Sequence, residues 1–129
     1  MKKQEIYQEL FMWGMPHIRN VQTWSYFKKG RDRSCYFVAE LLHNLYVSMF
    51  EEEFTDHDIW FINVQMRYFI ESCNPKIFNG YTHFCSLLLR LLDEVPDNLK
   101  EKIQWTPSKE TVDMVTEFRE NQKQLEDKR

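Results

Sequence analysis

Residues 34–92 carry apolar side chains three and four positions apart with only two short breaks, at Phe54-Thr55 and at Asn74-Pro75. That spacing describes helices packed on other helices. Beta-branched residues nowhere alternate with polar ones over a useful length, so no strand is predicted. The breaks leave almost no loop, and the segments at about 34–54, 56–73 and 75–92 are therefore expected as antiparallel neighbours.

The first of these segments runs from near Ser34 to Phe50 or Phe54. Val38, Leu41, Leu42, Leu45, Met49 and Phe50 cover one broad face, which Cys35, Ala39 and Tyr46 widen. A helix so apolar is expected at the centre, with neighbours on more than one side. Thr55 is positioned to cap the second helix by accepting the amide hydrogen of Asp58, and Asp56 and Asp58 fall where the exposed amides favour negative charge. Asn74-Pro75 pairs a capping residue with proline at the first helical position and opens the third helix. Gly80 costs that helix about 1 kcal/mol relative to alanine, so a break or a close packing contact is expected there. Pro96 stops it.

Flanking segments follow the same rules. Ile6, Leu10 and Trp13 place a helix over residues 2–13, ended by Gly14 and Pro16. Val21, Trp24 and Phe27 suggest a short helix within residues 17–33, closed by Gly30. Residues 97–103 suit one short turn or helix. Thr106-Pro107 repeats the cap-then-proline signal for a last helix with Val112, Val115 and Phe118 facing inward and Met114 near them. The predicted fold class is all-α, a compact single-domain bundle of about five or six helices over residues 1–119, with a polar tail at 120–129. Stacked armadillo-like pairs are the alternative, and the lack of an internal repeat argues against them.

A chain of 129 residues suits one core and buries about two thirds of its unfolded surface. Alanine occurs once, at Ala39, so the core must be built from large side chains; with 16% aromatic residues, some aromatic surface is left over for a partner. Trp60, Phe61 and Ile62 are consecutive, as are Tyr36, Phe37 and Val38, and one helix face cannot hold three successive residues. Cys35, Cys73 and Cys85 are odd in number and lie inside apolar patterns, which reads as buried free thiols in a reducing compartment. The first residues lack the apolar core and small-residue cleavage site of a signal peptide, and no apolar run approaches about 18 residues. An intracellular, cytoplasmic protein without membrane contact is expected.

Charge is segregated. In LLHNLYVSMFEEEFTDHD, residues 41–58, the acids Glu51, Glu52, Glu53, Asp56 and Asp58 flank a helix-to-helix turn. They read first as a solvated loop and then as a contact surface for a basic partner. Lys28, Lys29, Arg31 and Arg33 cluster around Gly30, with Arg19 upstream and Trp24, Tyr26 and Phe27 beside them. Cations interleaved with aromatics suit bases and phosphates, but a net charge of −3 argues against a dedicated nucleic-acid binder.

Chemistry-bearing motifs are missing. Gly14, Gly30 and Gly80 are too far apart for a phosphate loop. No EF-hand spacing, HExxH or paired CxxC appears, so no metal or cofactor is predicted. No nucleophile elbow appears, and no catalytic residue is assigned. His43 reads as a structural histidine among core leucines, and His57 as exposed in a first turn. The reading is a non-catalytic protein-protein interaction module: an inhibitor, an adaptor or an immunity-type protein. Its interface candidates are Trp60 and Trp24 with the acidic and basic clusters. Homo-oligomerisation through the same aromatics also fits, and the alternative is a nucleic-acid-associated helical protein using residues 19–33.

Overall fold

Seven helical segments make up the regular structure of this computed structural model, which describes residues 2–19, 43–72 and 80–127. They are α1 (Lys3–Arg19), α2 (residues 43–49), α3 (Asp56–Trp60), α4 (Arg67–Ser72), α5 (Tyr81–Glu94), α6 (Asp97–Lys100) and α7 (Lys109–Asp127), with a π-helical stretch (Phe61–Met66) joining α3 to α4 without a break. The fold is all-α, and the described residues include no strand. No described helix is long and apolar enough to cross a membrane.

α5 organises the core. Its face of Phe84, Leu87, Leu88 and Leu91 is buried, and the helix packs on α1 on one side and α7 on the other. From α1 come Ile6, Tyr7 and Leu10; from α7, Val115; from the stretch after Thr55, Ile59, Phe61 and Ile62. Burying each aliphatic side chain of this set contributes about 1.5–3 kcal/mol. The Tyr7 and Phe61 rings meet at 5.8 Å and 49°, a tilted contact that fixes α1 against the π stretch.

Several helix ends differ from the sequence-based expectation. α1 continues through Gly14 and Pro16 to Arg19. Pro16 forfeits its own amide bond, a local cost of about 3 kcal/mol, yet the backbone is helical on both sides of it. At Gly80 the expected break is present: the residue has φ 89°, the left-handed region where a Cβ is costly, and α5 starts only after it. Asn74-Pro75 lies outside the described residues. At the other end Val95 is extended, as a residue before proline must be, and its amide still reaches the Leu92 carbonyl at 3.3 Å. α7 is capped by Ser108 rather than Thr106: the Ser108 hydroxyl accepts the Thr111 amide at 3.2 Å, so Pro107 precedes the cap instead of following it. Val112, expected to face inward, is 40% exposed, while Val115 is buried. Residues 120–127 are exposed and prolong α7.

The π stretch resolves the crowding of apolar residues at 60–62. The Arg67 amide bonds to the Ile62 carbonyl, five residues back, so one extra residue is taken into the turn. Phe61 and Ile62 are both fully buried, and Trp60 is left outside at 40% exposure. The same register presents Asn63 to the loop after α6. Its Nδ2 donates to the Lys102 carbonyl at 2.9 Å, and its Oδ1 accepts the amides of Gln104 at 2.8 Å and Trp105 at 3.4 Å. This clamp holds the loop that delivers Trp105 to the core.

Candidate interaction surface

The acidic turn separates into two kinds of carboxylate. Asp58 lies inside the protein. Its Oδ2 is 2.8 Å from Lys3 Nζ and accepts the Thr55 amide at 2.8 Å and the Thr55 hydroxyl at 3.2 Å; its Oδ1 accepts Tyr7 Oη at 2.9 Å. Thr55 does cap α3, in a capping box with Asp58, and the Asp58 amide also reaches the Thr55 carbonyl at 3.1 Å. Lys3 is equally enclosed. It donates to the Glu53 carbonyl at 2.7 Å and lies 5.3 Å above the Phe54 ring. The expectation that Asp58 belongs to a surface cluster is therefore corrected: a cation from the far end of the sequence and a phenol take it into the core.

The polar network extends from Tyr7 to Ser48 and His57. Ser48 acts on the Tyr7 phenol against the effect of burial, and its Oγ is 3.3 Å from His57 Nδ1. His57 Nε2 is 3.0 Å from Asn44 Oδ1. A hydroxyl, an imidazole and an amide thus stand in series, the order of a nucleophile, its base and an orienting group. Ser48 is 1% exposed, so its Oγ is enclosed by the protein. Burial, then the charge of Asp58, then the hydrogen bond to it hold the Tyr7 phenol well above its ordinary pKa, so it stays a donor. The network satisfies buried polar groups and ties α1, α2 and α3 together. His57 is half-buried rather than exposed, with its ring 5.6 Å from Trp60.

The remaining acids face water. Glu51, Glu52, Glu53 and Asp56 are exposed, and Asp56 pairs with Lys102 Nζ at 3.0 Å. Beside them in the chain stands an aromatic surface that periodicity had assigned to the core. Tyr46 is 54% exposed and Phe50 is 65% exposed, and their rings meet edge to face at 5.0 Å. Phe11 of α1 lies 6.4 Å from Tyr46, and Val47 and Met12 are exposed as well. Leu45 is buried and Met49 half-buried, so only part of the predicted broad face turns inward. His43, whose burial the spacing leaves open, is exposed. The signal for the patch was present in the sequence as an excess of bulky residues, but nothing in the letters distinguished Phe50 from its core neighbours.

Trp24, Lys28, Lys29, Arg31 and Arg33 lie outside the described residues, as do Cys35 and Cys73. Cys85 is a buried thiol whose pKa burial pushes up to about 12. No three His, Cys, Asp or Glu side chains gather at metal-binding distance among the described residues. The chain matches no family model, no curated protein and no solved structure.

Proposed function

We propose that this chain is a non-catalytic protein-binding module that uses the exposed face of α2 and the acidic turn after it. The observation that carries the reading is the continuity of Tyr46, Val47 and Phe50 with Glu51, Glu52 and Glu53: large apolar side chains in water, bordered by exposed carboxylates. Aromatic anchors with a charged rim are what a recognition surface needs, because the rings supply the desolvated contact and the rim sets partner choice. The partner that complements this surface is a basic protein, and occupancy would block or position it, as an inhibitor, an adaptor or an immunity-type protein does. Trp60 and Asp56 extend the same candidate surface beyond the turn.

The test is affinity purification of the full chain from its native source, with nuclease treatment and a mass determination of the intact complex. A protein partner that survives nuclease is expected. Phe50→Ser, and separately Glu51→Lys with Glu52→Lys and Glu53→Lys, should weaken it at least tenfold while leaving thermal unfolding in place. Unchanged affinity in both variants overturns the assignment of this surface.

A further inference from the structure

A second surface of different chemistry lies between α5 and the second half of α7, with Glu9 of α1 at its side. It forms a cleft of about 350 Å³, at the small end of the range for organic ligands. Arg90, Arg119 and Lys123 line it, against Glu9 and Glu126. His83 also lines it and is neutral at pH 7, because burial, assisted by Arg90, lowers its pKa against the opposing pull of Glu9. The lining thus carries one net positive charge in a protein whose net charge is −3.

Arg90 and Lys123 are exposed, and Arg119 is partly buried and anchored. Arg119 Nε donates to Ser86 Oγ at 3.0 Å and Nη2 to the Ser86 carbonyl at 2.9 Å, which fixes the guanidinium plane at the cleft wall. An anchored guanidinium loses little freedom when it receives an oxyanion, and its planar fork matches carboxylate and phosphate oxygens. Burial and then the charge of Arg90 lower the Arg119 pKa, with Asp93 opposing. Apolar wall is present too: Leu87 is buried, and the Phe118 ring stands edge-on to His83 at 5.6 Å.

We propose that this cleft binds a small organic oxyanion, its carboxylate or phosphate head held by Arg90, Arg119 and Lys123 and its apolar body laid against Leu87 and Phe118. The site is independent of the aromatic surface on α2. It is tested by titrating the full chain with phenyl phosphate, benzoate, inorganic phosphate and uncharged benzyl alcohol at matched ionic strength, following backbone and arginine Nε resonances. At least one aromatic anion should saturate, with shifts centred on α5 and α7, and bind at least threefold tighter than inorganic phosphate; the tighter of the two identifies the head group. Because Arg119 also ties α7 to α5, the variants are Arg90→Gln and Lys123→Gln, each expected to weaken the anion at least fivefold without changing the melting temperature by more than a few degrees. Absence of saturation by both anions, equal affinity for benzyl alcohol, or unchanged affinity in both variants would overturn the proposal.

Discussion

Lys3 Nζ stands 2.8 Å from Asp58 Oδ2, and the two side chains are 2% and 1% exposed. Such a pair is held by its completeness. Removing one member leaves the other charge buried without its counter-ion, which costs about 3–5 kcal/mol, whereas removing both leaves a smaller debt of unfilled space and unmet donors. Lys3→Met and Asp58→Asn are each expected to lower stability by about that amount in urea unfolding, and the double variant by clearly less than the sum. A strictly additive double variant would mean that the two charges act separately.

Tyr7 makes the same network sensitive to alkali. Its folded-state pKa is raised above the ordinary value of 10.0, so the folded protein holds the phenolic proton more tightly than the unfolded chain does. The stabilisation linked to it is complete below pH about 10 and is lost as pH climbs from there through the folded-state pKa. Stability measured between pH 9 and 11 should therefore fall, and Tyr7→Phe should flatten that fall while lowering stability at pH 7 by about 1–3 kcal/mol for the unmet Asp58 hydrogen bond. An equally steep alkaline loss in Tyr7→Phe would assign the effect to other groups.

Asp58 also shows what the sequence can and cannot reveal. The helical class, the turn at Thr55 and the capping role of Thr55 follow from local rules, because spacing and capping are properties of neighbouring residues. Burial of Asp58 depends on Lys3 and Tyr7, which enter from another helix, and no local pattern encodes that meeting. Phe50 fails in the opposite sense. It continues the period of a core face, yet the helix ends at residue 49 and the ring is left in water. The π stretch is a third case: one extra residue per turn leaves no mark in composition, and only the crowding of Trp60, Phe61 and Ile62 hinted that a regular helix would not accommodate them. Arg90 and Arg119 were invisible as a pair because they belong to different helices.

Asn63 offers a test of that π register. Its amide makes three bonds to the loop between α6 and Trp105. Asn63→Ala strips the loop of its clamp and leaves the Gln104 and Trp105 amides to find water, at a cost of about 1–3 kcal/mol. Lys102 then becomes the place to look: limited trypsin digestion of the native protein should cut after it several times faster in the variant, because cleavage follows the population of the locally opened loop. Equal cleavage rates would mean that burial of Trp105 alone holds the loop.

Cys85 reports on the integrity of α5. Its thiol lies in the core beside Phe84 and Leu88, and burial pushes its pKa up to about 12, so almost none of it is thiolate at pH 8. Alkylation requires both opening of the core and loss of the proton. With iodoacetamide at pH 8, peptide mapping by mass spectrometry should show Cys85 labelled at least about 100-fold more slowly in the native protein than in urea. Leu88→Ala, which removes a fully buried neighbour from the same helix at a cost of about 2–5 kcal/mol, should raise the native labelling rate by at least tenfold, because opening becomes more frequent as stability falls. Rapid labelling of Cys85 in the unaltered protein would contradict its place in the core and, with it, the role of α5 as the helix on which α1 and α7 pack.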